Sequence, residues 1–514
     1  MQIKKKKICL FCKKVVSLQC EIERESNMFL SESAEKQAIV RLRLDNPWWE
    51  NGSIRADFKA MGPRAYLDIF YGLVKNVRVR RSIILMGPRR VGKTVMIYHA
   101  IQRLIDEGAP AKNIIYESVD TPIYNVILLE EQLNAAIVAS GKAFNPTEQY
   151  FVFFDEVQYL KQWEVSLKTL ADAYPNIRFV ASGSAAAALK KSSNESGAGR
   201  FTDFSLPPLT FYEYVQLRHC EGLLRESTLM WNGHEVHSFA PVDITRLNNT
   251  FIEYINYGGY PEVAFNTELQ ADPGQYIRHD IIDKVLLRDL PSMYGITDVQ
   301  ELNSLFAMIA FHSGAEFSYE SMAQNTGIKK ETLRRYLEYF EAAFLLKKIH
   351  RTDDTAKRYQ REHSFKLYLT NPSLRCALFQ PITENDSEIG TMVETAVFAQ
   401  WIPRLGTDIG YASWREGRNI MGEVDIVGIN AGRQRPDWAV ELKWTDRYYE
   451  NPGELTSLKN FMTTNGLTQA LVTTMTASGL TSLSWGNLQF MPTACYAYIV
   501  GRNTLYRTKA GMGM

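Results

Sequence analysis

The chain has almost no excess charge of either sign, with 58 lysines and arginines against 57 aspartates and glutamates. That balance excludes a protein that holds nucleic acid or an anionic surface through its global field, so any such surface must be local. No apolar run approaches the ~20 residues needed to span a bilayer, and no membrane partner is expected. Six cysteines are scattered over 514 residues, too few for a disulfide framework and in keeping with a reducing, cytoplasmic compartment. Cys9 and Cys12 have a ligand-like spacing, with Cys20 downstream, but a fourth ligand and a nearby histidine are missing, so zinc is not expected. Histidine is scarce too, and His234 and His237 could share a metal only on a helix.

What the chain does have is apolar material, 45% hydrophobic and 12% aromatic. That is ample for packed cores, and the length predicts two or three domains. Lys4 to Lys7 precede Ile8-Cys9-Leu10-Phe11, but Lys13 and Lys14 cut this apolar patch too short for a secretion signal. Residues 1–45 read as a weakly structured extension, with Met28 as an alternative start.

The most specific motif follows the apolar strand Ile83-Ile84-Leu85-Met86. Gly87-Pro88-Arg89-Arg90-Val91-Gly92-Lys93-Thr94 satisfies the P-loop pattern, and Val95 to Ile105 reads as the amphipathic helix that must come next. Wrapping a phosphate chain needs backbone N–H groups aimed inward at a helix N-terminus, which a glycine-bearing loop supplies. Lys93 is expected at the β/γ-phosphates of ATP and Thr94 at Mg²⁺. A second buried strand, Tyr150 to Phe154, ends in Asp155-Glu156. There Asp155 is expected to hold Mg²⁺ and Glu156 to act as general base. A third strand, Ile177 to Ser184, offers Ser182 or Ser184 as a polar sensor of the γ-phosphate. The polar stretch from Lys190 to Gly199 leads to Arg200, a candidate to neutralise transition-state charge in its own site or a neighbouring subunit's.

Farther on, Ser318 to Ala323, a turn at Asn325 to Ile328, and a helix from Lys329 to Phe344 form a helix-turn-helix pattern. Leu345 to His350 and Lys366 to Leu369 read as wing strands. Lys330, Arg334 and Arg335 lie where a recognition helix meets DNA. The stretch from Lys329 to Lys366 carries eleven basic against six acidic residues. In the last third, Glu423 to Val427 is a strand bearing Asp425, and Trp438 to Lys443 a strand presenting Glu441 and Lys443 on one face. Asp425 and Glu441 are candidate Mg²⁺ ligands, Lys443 a candidate to activate water at a phosphodiester, and Glu394, on an upstream helix, a further acidic ligand.

Together these motifs resemble prokaryotic AAA-type ATPases whose C-terminal domain is related to the PD-(D/E)xK nucleases. The likeness runs from about Asp57 to Met475. It rests on the P-loop, Asp155-Glu156-Val157-Gln158 with Trp163-Glu164, Gly199-Arg200, Leu206 to Tyr214, Tyr257-Gly258-Gly259-Tyr260-Pro261-Glu262, Arg288-Asp289-Leu290 and Glu441-Leu442-Lys443. Two departures are Asn371, where the family commonly has aspartate, and Ser184-Ala185-Ala186 in place of a more serine-rich loop. The resemblance implies ATP binding. The α/β architecture expected is an ASCE/AAA-type P-loop domain over residues 46–235, a helical lid or linker over 236–300, a winged helix-turn-helix over 301–372, and a restriction-endonuclease-like α/β domain over 373–514. The functional expectation is an ATPase coupling nucleotide state to a DNA-directed nuclease-like domain. The alternatives are a nucleotide-dependent switch or DNA-binding regulator without cleavage, and an assembly ATPase acting on proteins. A homo-oligomer is compatible with either.

Overall fold

The computed structural model describes residues 37, 39–120, 128–160, 162–183, 199–353, 355, 364–402, 409–416, 419–430, 432–433 and 435–511. Cys9, Cys12, Cys20, Met28, Ser184 and the 190–198 stretch lie outside the described residues.

The first layer is a five-stranded parallel sheet. Its strands are β1 (Ser82–Met86), β2 (Ile114–Ser118), β3 (Tyr150–Asp155), β4 (Ile177–Gly183) and β5 (Phe201–Ser205), in the order β2-β3-β4-β1-β5. β1 to β4 are almost wholly buried apolar runs, as a parallel sheet covered on both faces requires. β4 inserts between the P-loop strand and the Asp155 strand, so the C-terminal ends of all three converge on one edge, where open α/β sheets bind ligands. The helix after the loop spans Lys93–Asp106 and packs Met96, Ile97, Ala100, Ile101 and Leu104 inward at helical spacing.

A hairpin of β6 (Leu224–Trp231) and β7 (His234–Pro241) follows. It places His234 and His237 on a strand three residues apart, on opposite faces, so they do not form a metal pair. Beyond it the chain is helical from Ile244 to Phe311, including two π-helical stretches, Gly274–Asp283 and Val285–Asp289.

The remaining strands form one nine-stranded sheet. They are β8 (Glu316–Phe317), β9 (Leu346–Thr352), β10 (Phe365–Leu369), β11 (Ile409–Glu416), β12 (Asn419–Asn430), β13 (Arg435–Glu441), β14 (Gln469–Thr474), β15 (Gly479–Leu483) and β16 (Gly486–Pro492). The order is β15-β16-β14-β13-β12-β11-β9-β10-β8. The strands that follow the helix pair Tyr319–Thr326 and Lys330–Ala342 are thus continuous with the C-terminal sheet, through parallel pairing of Arg351 with Tyr411 and Thr352 with Ala412. The helix pair turns at Gly327 and starts at a Ser318 cap that accepts the Ser321 N–H. Among the described residues no helix is long and apolar enough to cross a membrane.

Candidate functional site

At the C-terminal edge of the parallel sheet the loop from Gly87 to Gly92 closes tightly. A Cβ on Gly87 would sit 2.4 Å from the Leu206 carbonyl oxygen, and Gly92 has φ +91°, so both positions demand glycine. Lys93 folds back onto the loop, donating to the carbonyls of Gly87 (3.1 Å) and Pro88 (2.9 Å). Burial lowers its pKa, an effect that the carboxylates of Glu156 and Asp155 oppose. Thr94 and Asp155 meet directly, hydroxyl to carboxylate, at 2.7 Å. Tyr116 donates to the same oxygen at 2.9 Å, and the Ser182 hydroxyl donates to the other. Glu156 has a left-handed backbone (φ +59°), and its N–H donates to Ser182 at 3.3 Å. Burial raises the pKa of its carboxyl, against the pull of Lys93, and Gln158 donates to it. Thr94, Asp155, Glu156 and Ser182, read from three separated segments, therefore stand together. Their donor set, a hydroxyl and a carboxylate beside a loop of backbone N–H groups, fits a magnesium-bound triphosphate.

Arg200 stands elsewhere. Its carbonyl accepts from Ser82 N at the opposite end of β1, a strand length of about 16 Å from the loop, and its guanidinium pairs with Asp172 at 2.8 Å. The structure does not bring it to its own nucleotide edge.

Residues outside the expected site grip the loop instead, by way of its two arginines. Arg89 makes a two-pronged ion pair with Asp289 (2.7 and 2.8 Å) and donates to the Tyr159 hydroxyl at 2.8 Å. Arg90 reaches Glu262 and Asp280, both at 2.9 Å. The two loop arginines are thus held by the helical segment, with Asp280 and Asp289 on its π-helical turns. Arg64 is buried and holds Glu213 with two prongs (2.7 and 2.9 Å) while donating to the Val91 carbonyl at 2.7 Å. The only advance signal was the presence of Glu213, Glu262 and Asp289 inside the family-like motifs.

A second polar cluster lies in the C-terminal sheet. Ile426 pairs with Val440 in the antiparallel register of β12 and β13, which sets Asp425 directly across from Glu441. Lys443 Nζ is 2.7 Å from Glu441 Oε1 and 3.6 Å from Asp425 Oδ2, and that Asp425 oxygen also accepts the Leu442 N–H at 2.8 Å. Glu441 is 8% exposed; its other oxygen is buried without a hydrogen-bond partner, and burial followed by the Asp425 charge pushes its pKa up to about 8. Burial disfavours the charge on Lys443, but Asp425 and Glu441 outweigh it and hold the pKa above the ordinary lysine value. Glu394 stands beside them, near enough for its charge to act on Asp425 and Lys443, but its own contacts lead elsewhere. It is drawn to the Tyr368 hydroxyl and to Lys366 at 3.1 Å, while Lys366 also binds Glu423 at 2.8 Å. Lys366, expected on a wing strand, is a buried lysine bridging two carboxylates. Among the described residues no group of three or more His, Cys, Asp or Glu side chains is arranged as a metal cage.

The basic face of the Lys330–Ala342 helix is partly neutralised. Lys330 pairs with Glu320 at 2.6 Å and Arg334 with Glu331 at 3.1 Å, leaving Arg335 exposed. Lys357, Arg358 and Arg361, which supplied part of the counted excess, lie outside the described residues.

Residues 79–215 match the family model of an AAA domain, and residues 248–386 match that of a domain of unknown function, DUF8612. An uncharacterized protein of Haemophilus influenzae is 23% identical over 350 residues, covering 67% of this chain and 80% of that protein. Two uncharacterized proteins of Methanocaldococcus jannaschii are 27% and 25% identical, over 62% and 51% of this chain and 67% and 55% of theirs. Among solved structures, a Walker-type ATPase of Pyrococcus abyssi aligns at 11% identity and a TM-score of 0.34, covering 62% of this chain and 99% of that one. AMPPCP-bound DnaA from Aquifex aeolicus aligns at 13% and 0.26, covering 53% and 86%. Structural likeness at that level carries no weight for function. The family match does carry weight: residues 79–215 form an AAA-type domain, and the P-loop Gly87 to Thr94 lies inside it.

Proposed function

We propose that the protein is a magnesium-dependent ATPase whose nucleotide state acts, through the helical segment, on a nuclease-like C-terminal domain directed at DNA. The observation that carries the ATPase part is the contact of Thr94 with Asp155, with Glu156 next in the chain and Ser182 beneath both. The N–H groups of the loop bind the phosphates, and Lys93 leaves the Gly87 and Pro88 carbonyls to reach them. Bound Mg²⁺, taken by Thr94 and Asp155, would supply charge neutralisation at the β/γ-phosphates. Glu156 accepts the proton of the attacking water, and its burial suits it to that role.

Coupling has a physical route. Arg89 and Arg90 tie the loop to Asp289, Glu262 and Asp280, and the next link is a buried hydroxyl. Tyr254 donates to the Leu209 carbonyl at 2.8 Å and accepts from Asn371 (3.3 Å) and Gln400 (3.0 Å). Gln400 lies on the helix Ile389–Trp401, which also carries Glu394 beside the C-terminal cluster. Asp425, Glu441 and Lys443 share one face there, which supports a phosphodiester-directed site with Asp425 and Glu441 as ligands and Lys443 orienting water.

Incubation of supercoiled plasmid with ATP and Mg²⁺ tests the nuclease part. Wild type should nick it and Asp425→Ala should not; equal nicking by both, or none by wild type, contradicts cleavage. A second reading, a nucleotide-dependent switch that binds DNA without cutting, draws support from the engagement of Glu394 by Lys366 and the Tyr368 hydroxyl, which occupies a carboxylate otherwise available as a ligand. ATP hydrolysis with no nicking, and DNA affinity that survives Glu441→Ala, would favour it.

A further inference from the structure

The edge of the parallel sheet where its strands begin carries a charged site that neither the P-loop nor the C-terminal cluster uses. Arg178, at the start of β4, is 6% exposed. Its Nη1 donates to the carbonyls of Val79 (2.9 Å) and Arg81, whereas Nε and Nη2 are buried without a hydrogen-bond partner. No carboxylate acts on it among the described residues; burial alone bears on its charge, bringing its pKa down to about 10. A guanidinium that remains protonated at neutral pH, yet is buried with no counter-charge, is an arrangement that costs stability unless an anion completes it.

The surroundings point the same way. Ile83 aligns with Val180 in the parallel register, so Arg81 lies beside Arg178. Arg80, Arg81, Ser82, Gln149 and Arg178 line a small cavity of about 30 Å³, and the Ser82 hydroxyl is a further buried polar atom without a partner. Arg78, Arg80 and Arg81 are exposed on one short stretch of chain. This contrasts with the Lys330–Ala342 helix, where two of three expected DNA-facing cations are spent on neighbouring glutamates.

We propose that this arginine cleft binds a phosphoryl oxyanion, and that its source is the phosphodiester backbone of a nucleic acid. The planar fork of arginine matches phosphate oxygens, and the cavity has room for one such group rather than for an organic molecule. Several arginines along Arg78 to Arg81 can follow successive phosphates of a strand, which a free phosphate would not need. The site does not depend on cleavage by the C-terminal domain.

The test uses the full chain, a labelled DNA duplex read by fluorescence anisotropy across a salt series, and inorganic phosphate read by thermal melting. The exposed double variant Arg80→Ala/Arg81→Ala keeps the core intact and complements Arg178→Gln, which alters a buried position. Both variants should lose about tenfold or more in DNA affinity, and the double variant should show a salt dependence shallower by about two counter-ions. Phosphate should raise the melting temperature of wild type more than that of either variant, with ATP affinity unchanged throughout. Phosphate stabilisation with DNA affinity equal in all three keeps the oxyanion site and overturns its nucleic-acid source. DNA binding absent even from wild type, with phosphate stabilisation intact, removes DNA from the proposed function and likewise leaves only the oxyanion site. Neither a phosphate effect nor a DNA effect overturns the inference whole.

Discussion

Glu117, on β2, has both carboxylate oxygens buried without a partner among the described residues. Burial, with the Asp45 charge adding to it, pushes its pKa up to about 8 from 4.5. The folded chain therefore holds this proton more tightly than the unfolded chain does. Its contribution to stability is whole below about pH 4.5 and is lost as pH rises through about 8. Denaturant melts of wild type and Glu117→Gln from pH 5 to 9 should diverge, with the variant gaining relative stability toward high pH; parallel curves would show that the carboxyl is relieved in some other way. Arg64 poses the opposite case, a buried charge fully engaged by Glu213 and the carbonyls of Val91 and Pro207. Arg64→Ala leaves the Glu213 carboxylate buried without a counter-charge, held only by Ala65 N and Thr210, and should cost about 3–5 kcal/mol. A loss under 1 kcal/mol in chemical denaturation would mean that Glu213 finds another partner.

The loop and the helical segment interact through Arg89 and Asp289, both largely buried. A double-mutant cycle with Arg89→Ala and Asp289→Ala should give a coupling of about 1–3 kcal/mol in stability. If the pair also transmits nucleotide state, each single variant should change the ATP dependence of DNA binding. Additive effects and unchanged ATP dependence would show that the pair neither couples the two segments nor transmits nucleotide state. The other tie, at Tyr254, explains the residue that departs from the family pattern: Asn371 is fully buried, donates to Tyr254, accepts from Ser373 N, and packs where a Cβ on Gly259 would strike it. An aspartate there could not donate, so Asn371→Asp should lower stability by about 1–3 kcal/mol at neutral pH in thermal or chemical melts, and no loss would mean that the amide proton is dispensable.

These elements also mark what could be read in advance. The P-loop and Asp155-Glu156 are contiguous motifs, each set by its own strand and turn, so local pattern sufficed to name them. Asp425 with Glu441 and Lys443 was legible because strand alternation puts residues two apart on one face. Lys366 was not: it sits on a strand read as a wing, and only the long-range pairing of β9 with β11 carries that strand into the C-terminal sheet, where its charge claims Glu394. The absence of Arg200 from its own nucleotide edge has a related reason, since nearness in sequence to a loop does not say which end of a parallel strand a residue occupies. The arginines of the far edge were equally hidden, because Arg178 and Arg81 become neighbours only through strand register.

At the scale of the whole molecule, two sheets meet through a helical segment that touches the nucleotide loop on one side and the helix Ile389–Trp401 on the other. The apolar core of the parallel sheet continues into the helices of residues 277–310 and the Lys330–Ala342 helix. A second core joins residues 209–264 to the C-terminal sheet. Such continuity favours transmission of a change at the loop over independent domain motion. Every step from sheet to sheet depends on that loop taking a triphosphate. Calorimetric titration of the full chain with ATP in the presence of Mg²⁺ is the most direct measurement. Saturable one-site binding by wild type that Lys93→Ala abolishes is the predicted result, and no heat from wild type, or an unchanged isotherm for Lys93→Ala, would contradict it.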